Sequence, residues 1–284
     1  MRCLLFAVAA AVGVVADAPA PVRVMSFNVR YGTARDGDNH WDKRKDFLAA
    51  TVTAFDPDLL GTQETLAFQR DFLAEKLKTH TAFGAGRDDG QGRGEMAALF
   101  YRTARFEKLD GGNFWLSETP EKVGSKGWDA ALPRLATWVK LKDRTAGGTV
   151  LFLNTHFDHI GKKARHESAK LIRTKVAELG AGCRVVVTGD FNAGEGTEPY
   201  QALFDDAGPL RDTVRIRHPQ RGKLEGTFNG FDAKATGGPR IDWIGVGREW
   251  QVHDAGIDRT VKDGRTPSDH FPVTAVLGHE PAKK

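Results

Sequence analysis

The chain is 284 residues long, 40% hydrophobic and 27% charged, with a formal net charge of +4. These fractions are ordinary for a soluble globular protein and are enough for a sizeable core in one large α/β domain or two small ones. The mild basic excess is spread along the sequence and would attract polyanions, but it excludes a dedicated nucleic-acid arm.

At the amino terminus, Arg2, an apolar stretch over residues 4–15 and the small residues that follow read as an export signal. The expected cleavage follows Ala16, with a limit near residue 20, and the mature chain begins at Asp17. The stretch is shorter than a membrane span requires, which disfavours the alternative of an uncleaved anchor, and Cys3 lies too early for a lipoprotein anchor. Loss of the signal leaves Cys183 alone, so the mature chain has no intramolecular disulfide and depends on core burial. Cys183 reads as a residue at the start of a strand rather than as a nucleophile.

Strands and helices then interleave. A strand is predicted over 22–28, and a helix over 41–55 places Leu48, Thr51, Val52 and Phe55 on one face before Asp56-Pro57 stops it. A strand over 59–63 ends at Glu64. A second helix over 66–77 turns Phe72, Leu73 and Leu77 inward. After a glycine-rich loop come strands over 96–101, 135–141 and 150–156. A helix over 163–179 repeats Leu171, Ile172, Val176 and Leu179 and stops at Gly180; strands over 185–188, 241–246 and 271–277 complete the pattern. The polar stretches 87–94 and 217–226 read as surface loops, and no linker divides the chain, so a single domain over 22–278 with a short tail to residue 284 is expected.

The chemistry lies at the ends of these apolar runs, where loops on a sheet scaffold usually present function. Glu64 is a candidate ligand for a hard cation such as Mg2+, which takes carboxylate, water and phosphate oxygens; a solvated Gln-Glu pair is the plain alternative. Gly189-Asp190-Phe191-Asn192 follows three valines, so a buried strand delivers Asp190 and Asn192 to one rim, as a water-orienting acid and a neutral donor, or simply as an Asx turn. Asp242 is a carboxylate inside the apolar run Ile241 to Ile244 and needs a partner, which His270 of Ser268-Asp269-His270 can supply; Asp269 is then free to bind metal. His156 ends a strand and suits contact with phosphate oxygens. Together with Asp158 and His159 it also looks like a zinc cluster, but without metalloprotease spacing or cysteine support.

In order along the chain stand Phe27-Asn28-Val29-Arg30, Gln63-Glu64, Phe100-Tyr101-Arg102, Asn154-Thr155-His156, Gly189-Asp190-Phe191-Asn192, Ile241-Asp242 and Ser268-Asp269-His270. Over about residues 22–277 this series resembles the endonuclease/exonuclease/phosphatase superfamily, which contains deoxyribonuclease I and exonuclease III. The resemblance implies a four-layer α/β sandwich of two face-to-face mixed sheets with helices outside. It implies Mg2+, with Mn2+ as a substitute, held by Asn28 and Glu64 with Asp269 as a further ligand or second site. Asp190 would orient or deprotonate water, Asn192 and His156 would stabilise the phosphorane, Asp242 would pair with His270, and Tyr101 would lie beside the phosphate unless it is a core aromatic.

Arg30 makes Asn-Val-Arg closer to deoxyribonuclease I than to the repair enzymes, and it is an expected substrate contact; Arg134 is a weaker one. The segment from Gly112 to Pro120 with Gly127-Trp128-Asp129 resembles a bacterial branch of poorly defined substrate. It reads as a substrate-side hairpin in which Trp115 and Trp128 either stack on a base or sugar or seal the core. The expected activity is hydrolysis of a phosphodiester or phosphomonoester in a nucleic acid, lipid head group or sugar phosphate. A catalytically silent phosphate-binding module is the alternative from another class, and no obligate protein partner is evident.

Overall fold

Short β-branched runs alternating with amphipathic segments build two six-stranded mixed sheets covered by helices. The computed structural model describes residues 19–279; the predicted signal over 1–16 and residues 280–284 of the predicted tail lie outside the described residues. The strands are β1 Val22–Asn28, β2 Leu59–Thr65, β3 His80–Phe83, β4 Met96–Arg102, β5 Phe106–Trp115, β6 Leu135–Asp143, β7 Thr149–His156, β8 Arg184–Asp190, β9 Arg211–Asp212, β10 Asp242–Val246, β11 Trp250–Ile257 and β12 Val273–His279. The helices are α1 Trp41–Phe55, α2 Ala67–Lys76, α3 Lys162–Leu179, α4 Glu198–Phe204 and α5 Thr213–Arg217.

One sheet has the order β11-β12-β1-β2-β4-β3 and the other β5-β6-β7-β8-β10-β9. At the centre of each, two strands run parallel, β1 with β2 and β7 with β8, joined across α1 and α3. Val22, Val24, Leu59 and Leu99 of the first sheet meet Val139, Phe152, Val186 and Ile244 of the second in a shared core. Leu48, Val52 and Leu73 of α1 and α2 cover Met25, Leu60 and Phe100, while Ile172 and Val176 of α3 cover Leu151, Leu153 and Val185. The result is the expected four-layer sandwich, and each such fully buried aliphatic side chain contributes roughly 1.5–3 kcal/mol.

Toward one end the space between the sheets turns polar. Gln63 Nε2 donates to Asn154 Oδ1 at 2.7 Å, and Asn154 Nδ2 donates to the carbonyls of Thr62 and Ala98 at 2.8 and 2.9 Å. The sheets come so close here that a Cβ on Gly61 would fall 2.1 Å from Thr188 Oγ1. Asn154 therefore bolts the two sheets together, and four central strands end at a common rim.

The segment from Gly112 belongs to a hairpin with a long connection, because β5 and the next strand, β6, pair antiparallel. Residues 112–115 finish β5, an edge strand paired along β6, and only the turn beyond Trp115 leaves the sheet.

Candidate active site

Strand ends from both sheets deliver the polar residues to one cleft of about 830 Å³, within the usual size of a small-molecule site. Asn28, the last residue of β1, is fully buried and donates Nδ2 to Asp190 Oδ2 at 2.9 Å and to Glu64 Oε1 at 3.1 Å. Its Oδ1 accepts the Arg30 N–H at 3.0 Å, so this amide must turn before its oxygen can face a cation. Glu64 stands where the β2–β4 register slips, with φ of +58°. Such a bulge re-aims a side chain, and Glu64 Oε2 accepts the Tyr31 N–H at 3.1 Å. Arg30 and Asn192 also have positive φ, +57° and +47°. Left-handed backbone at three non-glycine residues around one cleft is strain held by the surrounding fold.

Asp190 ends β8, with only 1% exposure. Its Oδ1 accepts the Asn192 N–H at 2.9 Å, and its Oδ2 lies 3.5 Å from His156 Nε2 and 3.8 Å from His270 Nε2. Directly across the ladder sits Asp242, its partner in the β8–β10 register. Two carboxylates placed opposite each other repel. Burial and then Asp242 push the Asp190 carboxyl up to about 7. His270 relieves the pair: its Nδ1 lies 2.9 Å from Asp242 Oδ2. Burial works against a charge on His270, but Asp242 and Asp190 together hold it well above the usual imidazole range, so the ring is a cation. Asp190, Asp242 and His270 also bring ligand atoms within 4.8 Å of one another, a grouping a metal could occupy; here the protonated imidazole is the positive charge between the two acids.

His156 has the opposite state. Burial, followed by Arg134 and Arg87, holds it well below the usual range, so it is neutral. Arg134 Nη1 lies 2.9 Å from His156 Nδ1. A guanidinium can only donate, so Nδ1 accepts and the proton sits on Nε2. Asn192 Nδ2, 3.1 Å from Nε2, donates to the Phe157 carbonyl at 3.0 Å. Two N–H donors therefore stand side by side at the rim, an arrangement that suits an anionic oxygen. The zinc-like cluster is not a metal site in this arrangement. Asp158 Oδ1 accepts the N–H groups of Ile160 and Gly161, and His159 Nδ1 takes a hydrogen bond from Arg134 Nη2 at 3.1 Å.

Glu64 and Asp269 form the third side. Asp269 is 5% exposed and its carboxyl is raised by burial, with Glu64 adding to the effect while His270 opposes it. Arg30 lies 4.0 Å from Glu64 Oε2 and 3.6 Å from Asp269 Oδ2, and it makes two 3.0 Å bonds to Asp36. Positive charge is thus already held between the two carboxylates, and an all-oxygen donor set of this kind fits a hard divalent cation.

Two expected contacts need correction. β4 runs antiparallel to β2, pairing Met96 with Thr65 at the cleft end and Tyr101 with Leu59 at the far end. Tyr101 is therefore a core aromatic between the sheets, away from the phosphate position. Trp115 is 4% exposed, packs with Ala97 and Leu135, and donates Nε1 to the Arg87 carbonyl at 2.7 Å. It has no face free to stack on a ligand and instead supports the loop over 87–95. Arg134 lines the cleft as expected, but buried behind His156.

Sequence reasoning missed Arg87, Glu95 and Phe228, all of which line the cleft. The stretch over 87–94 looks like a solvated loop because it is polar and rich in glycine, yet Arg87 is buried against Glu95 through bonds of 2.7 and 2.8 Å. Glu95 directly precedes an apolar strand, whereas Glu64 was singled out at the end of one, so a search confined to strand ends passes over Glu95. Phe228 is 53% exposed and edges onto the His270 ring at 5.2 Å, an aromatic left open at the cleft.

The sequence profile of the Endonuclease/Exonuclease/phosphatase family matches residues 25–270. A protein of that family from Bacteroides thetaiotaomicron is 39% identical, with a TM-score of 0.85 over 93% of this chain and 99% of that one. A mannosyl-6-phosphatase of the same organism is 41% identical, with a TM-score of 0.83 over 90% of this chain and 99% of that one. Nocturnin of Rattus norvegicus is 22% identical over 89% of this chain, which spans 63% of that protein's length. Fold, ordered motifs and sequence match converge: this chain belongs to the endonuclease/exonuclease/phosphatase family.

Proposed function

We propose that the protein is an exported, Mg2+-dependent phosphoesterase whose substrate is a small phosphomonoester, with a sugar phosphate favoured over nucleic acid or a lipid head group. The observation that carries the phosphoesterase reading is Asp190, which Asn28, Asn192, His156 and His270 surround from both sheets. The likeness to the 41% identical mannosyl-6-phosphatase supports the sugar-phosphate class. The export reading rests on the amino-terminal sequence. Among the described residues, no helix is long and apolar enough to cross a membrane.

Asp190 takes a proton from the attacking water; a carboxyl raised to about 7 is well matched to a general base near neutral pH. The water oxygen bonds to phosphorus in line with the bond to the leaving oxygen, which breaks; the leaving oxygen takes a proton from solvent, and Asp190 returns its proton to solvent. Asn192 Nδ2 and His156 Nε2 donate to the phosphoryl oxygens, and His270 brings a positive charge to the same rim. Asp242 keeps that charge in place through Nδ1. Glu64, Asp269 and, with its amide turned, Asn28 would hold Mg2+, or Mn2+ in its place, which when bound supplies Lewis acidity to the phosphoryl group.

Glu64→Gln is expected to raise the Mg2+ concentration for half-maximal activity by about tenfold or more, because it removes a charged oxygen donor. A metal titration of both proteins that gives the same midpoint would remove Glu64 from the ligand set. The substrate test is release of phosphate from a panel of sugar phosphates alongside nicking of supercoiled plasmid, each with Mg2+ or chelator. Metal-dependent phosphate release without nicking is the expected result. Nicking that disappears in Asp190→Asn would assign the protein as a nuclease instead.

A further inference from the structure

Arg134, the residue before β6, is 5% exposed and holds two histidines at once. Its Nη1 lies 2.9 Å from His156 Nδ1, and its Nη2 lies 3.1 Å from His159 Nδ1. A guanidinium only donates, so both rings accept at Nδ1 and carry their proton on Nε2. In the reaction proposed above, His156 gives that N–H to the phosphoryl group. His159 is exposed and lines the same cleft, and its Nε2 has no acceptor among the described residues.

The turn that carries His159 is rigid. The buried carboxylate of Asp158 accepts the N–H groups of Ile160 and Gly161 at 3.0 and 2.7 Å through Oδ1 and that of Leu132 at 3.3 Å through Oδ2, while Arg165 Nη1 donates to the Asp158 carbonyl at 3.0 Å. With its backbone fixed and its ring held by Arg134, His159 loses little further freedom when it binds a ligand. The two rings hang from two nitrogens of one guanidinium and so are neighbours. The group within reach of His159 is therefore the one esterified to the phosphate that His156 binds. The charge of Arg134 is met by Asp158 Oδ2 at 3.6 Å and Glu95 Oε2 at 3.8 Å. What reaches the cleft through His159 is an N–H donor without a strong positive charge, which suits a hydroxyl or ring oxygen better than a second phosphate.

We propose that His159 is a substrate-binding residue that donates Nε2–H to an oxygen of the alcohol part of the substrate, and so favours phosphate esters of hydroxylated alcohols over those of plain hydrocarbon alcohols. The proposal rests on the phosphoesterase reading above and gives that site a specificity residue outside its reaction machinery.

The test compares kcat/KM for a hexose 6-phosphate and for cyclohexylmethyl phosphate, which has a six-membered ring but no hydroxyl, in the wild-type protein and in His159→Asn. The asparagine oxygen can take the place of Nδ1 beside Arg134, and nothing takes the place of Nε2. Using the ratio of the two esters cancels any disturbance of His156 that reaches it through Arg134. The ratio of the hexose ester to the hydroxyl-free ester is expected to fall about 3- to 10-fold, the effect of losing one neutral hydrogen bond. A fall of less than about threefold, equal losses on both esters included, would overturn the assignment and make His159 only a support for Arg134. If the asparagine variant does not fold, His159→Ser is measured against the same threshold. Turnover of neither ester by the wild-type protein would instead be the failure of the phosphomonoester reading, and the assignment would fall with it.

Discussion

Asp190→Asn is expected to lower kcat by about 10²- to 10⁴-fold, the usual contribution of a positioned general base, and to make the protein more stable at alkaline pH. By its place at a strand end Asp190 reads as a solvated rim group of little consequence to the fold, but it is buried and faces Asp242 across the ladder. Its carboxyl is raised to about 7, so the folded protein holds this proton more tightly than the unfolded chain does. The stability it contributes is full below about pH 4 and is lost as pH rises through about 7. Asparagine keeps the shape and cannot ionise. Denaturant unfolding in chelator should therefore find the variant similar to wild type near pH 4 and more stable by on the order of 2–4 kcal/mol near pH 8. A variant less stable than wild type at pH 8 would show that the Asp190 charge supports the fold, and retained turnover would remove Asp190 as the base.

Asp242→Asn is expected to destabilise the protein by about 3–5 kcal/mol near neutral pH, because it removes one partner of a buried ion pair and leaves the other uncompensated. Asp242 is fully buried, His270 is 4% exposed, and the bond between them is 2.9 Å. Burial alone would discharge His270; Asp242 is the largest influence holding it above its ordinary value. A histidine raised on folding contributes stability that is full below its unfolded value, about 6.5, and is lost as pH rises through the folded value. The gap between wild type and variant should therefore be widest at slightly acid pH and narrow as the solution becomes alkaline. Imidazole NMR titration of the two proteins should show the His270 transition move down in pH. An unmoved transition would mean that the pair does not set the charge of His270. Activity should fall with the loss of that cation, and an active variant with a neutral His270 would separate the charge from the reaction.

Much of this protein could be read along the chain. The predicted helix over 41–55 and strand over 22–28 have the observed bounds because their signals are local: an apolar period of 3.6 or 2, with Asp56-Pro57 as a stop. The edge strands β3 and β11 went unpredicted because their signals are short: β3 has four residues, and the alternation that starts at Trp250 and Val252 in β11 breaks at a bulge before Asp254. The pairing of Asp242 with His270 was legible because a carboxylate in an apolar run must have a partner. Only the tertiary structure decided which end of a strand reaches the cleft, since strand direction is set by pairing and not by composition; this places Glu95 at the site and Tyr101 in the core. The same holds for protonation. His156 and His270 look alike in sequence, but one faces Arg134 and Arg87 and the other two aspartates, and the field of those neighbours leaves the first neutral and the second charged.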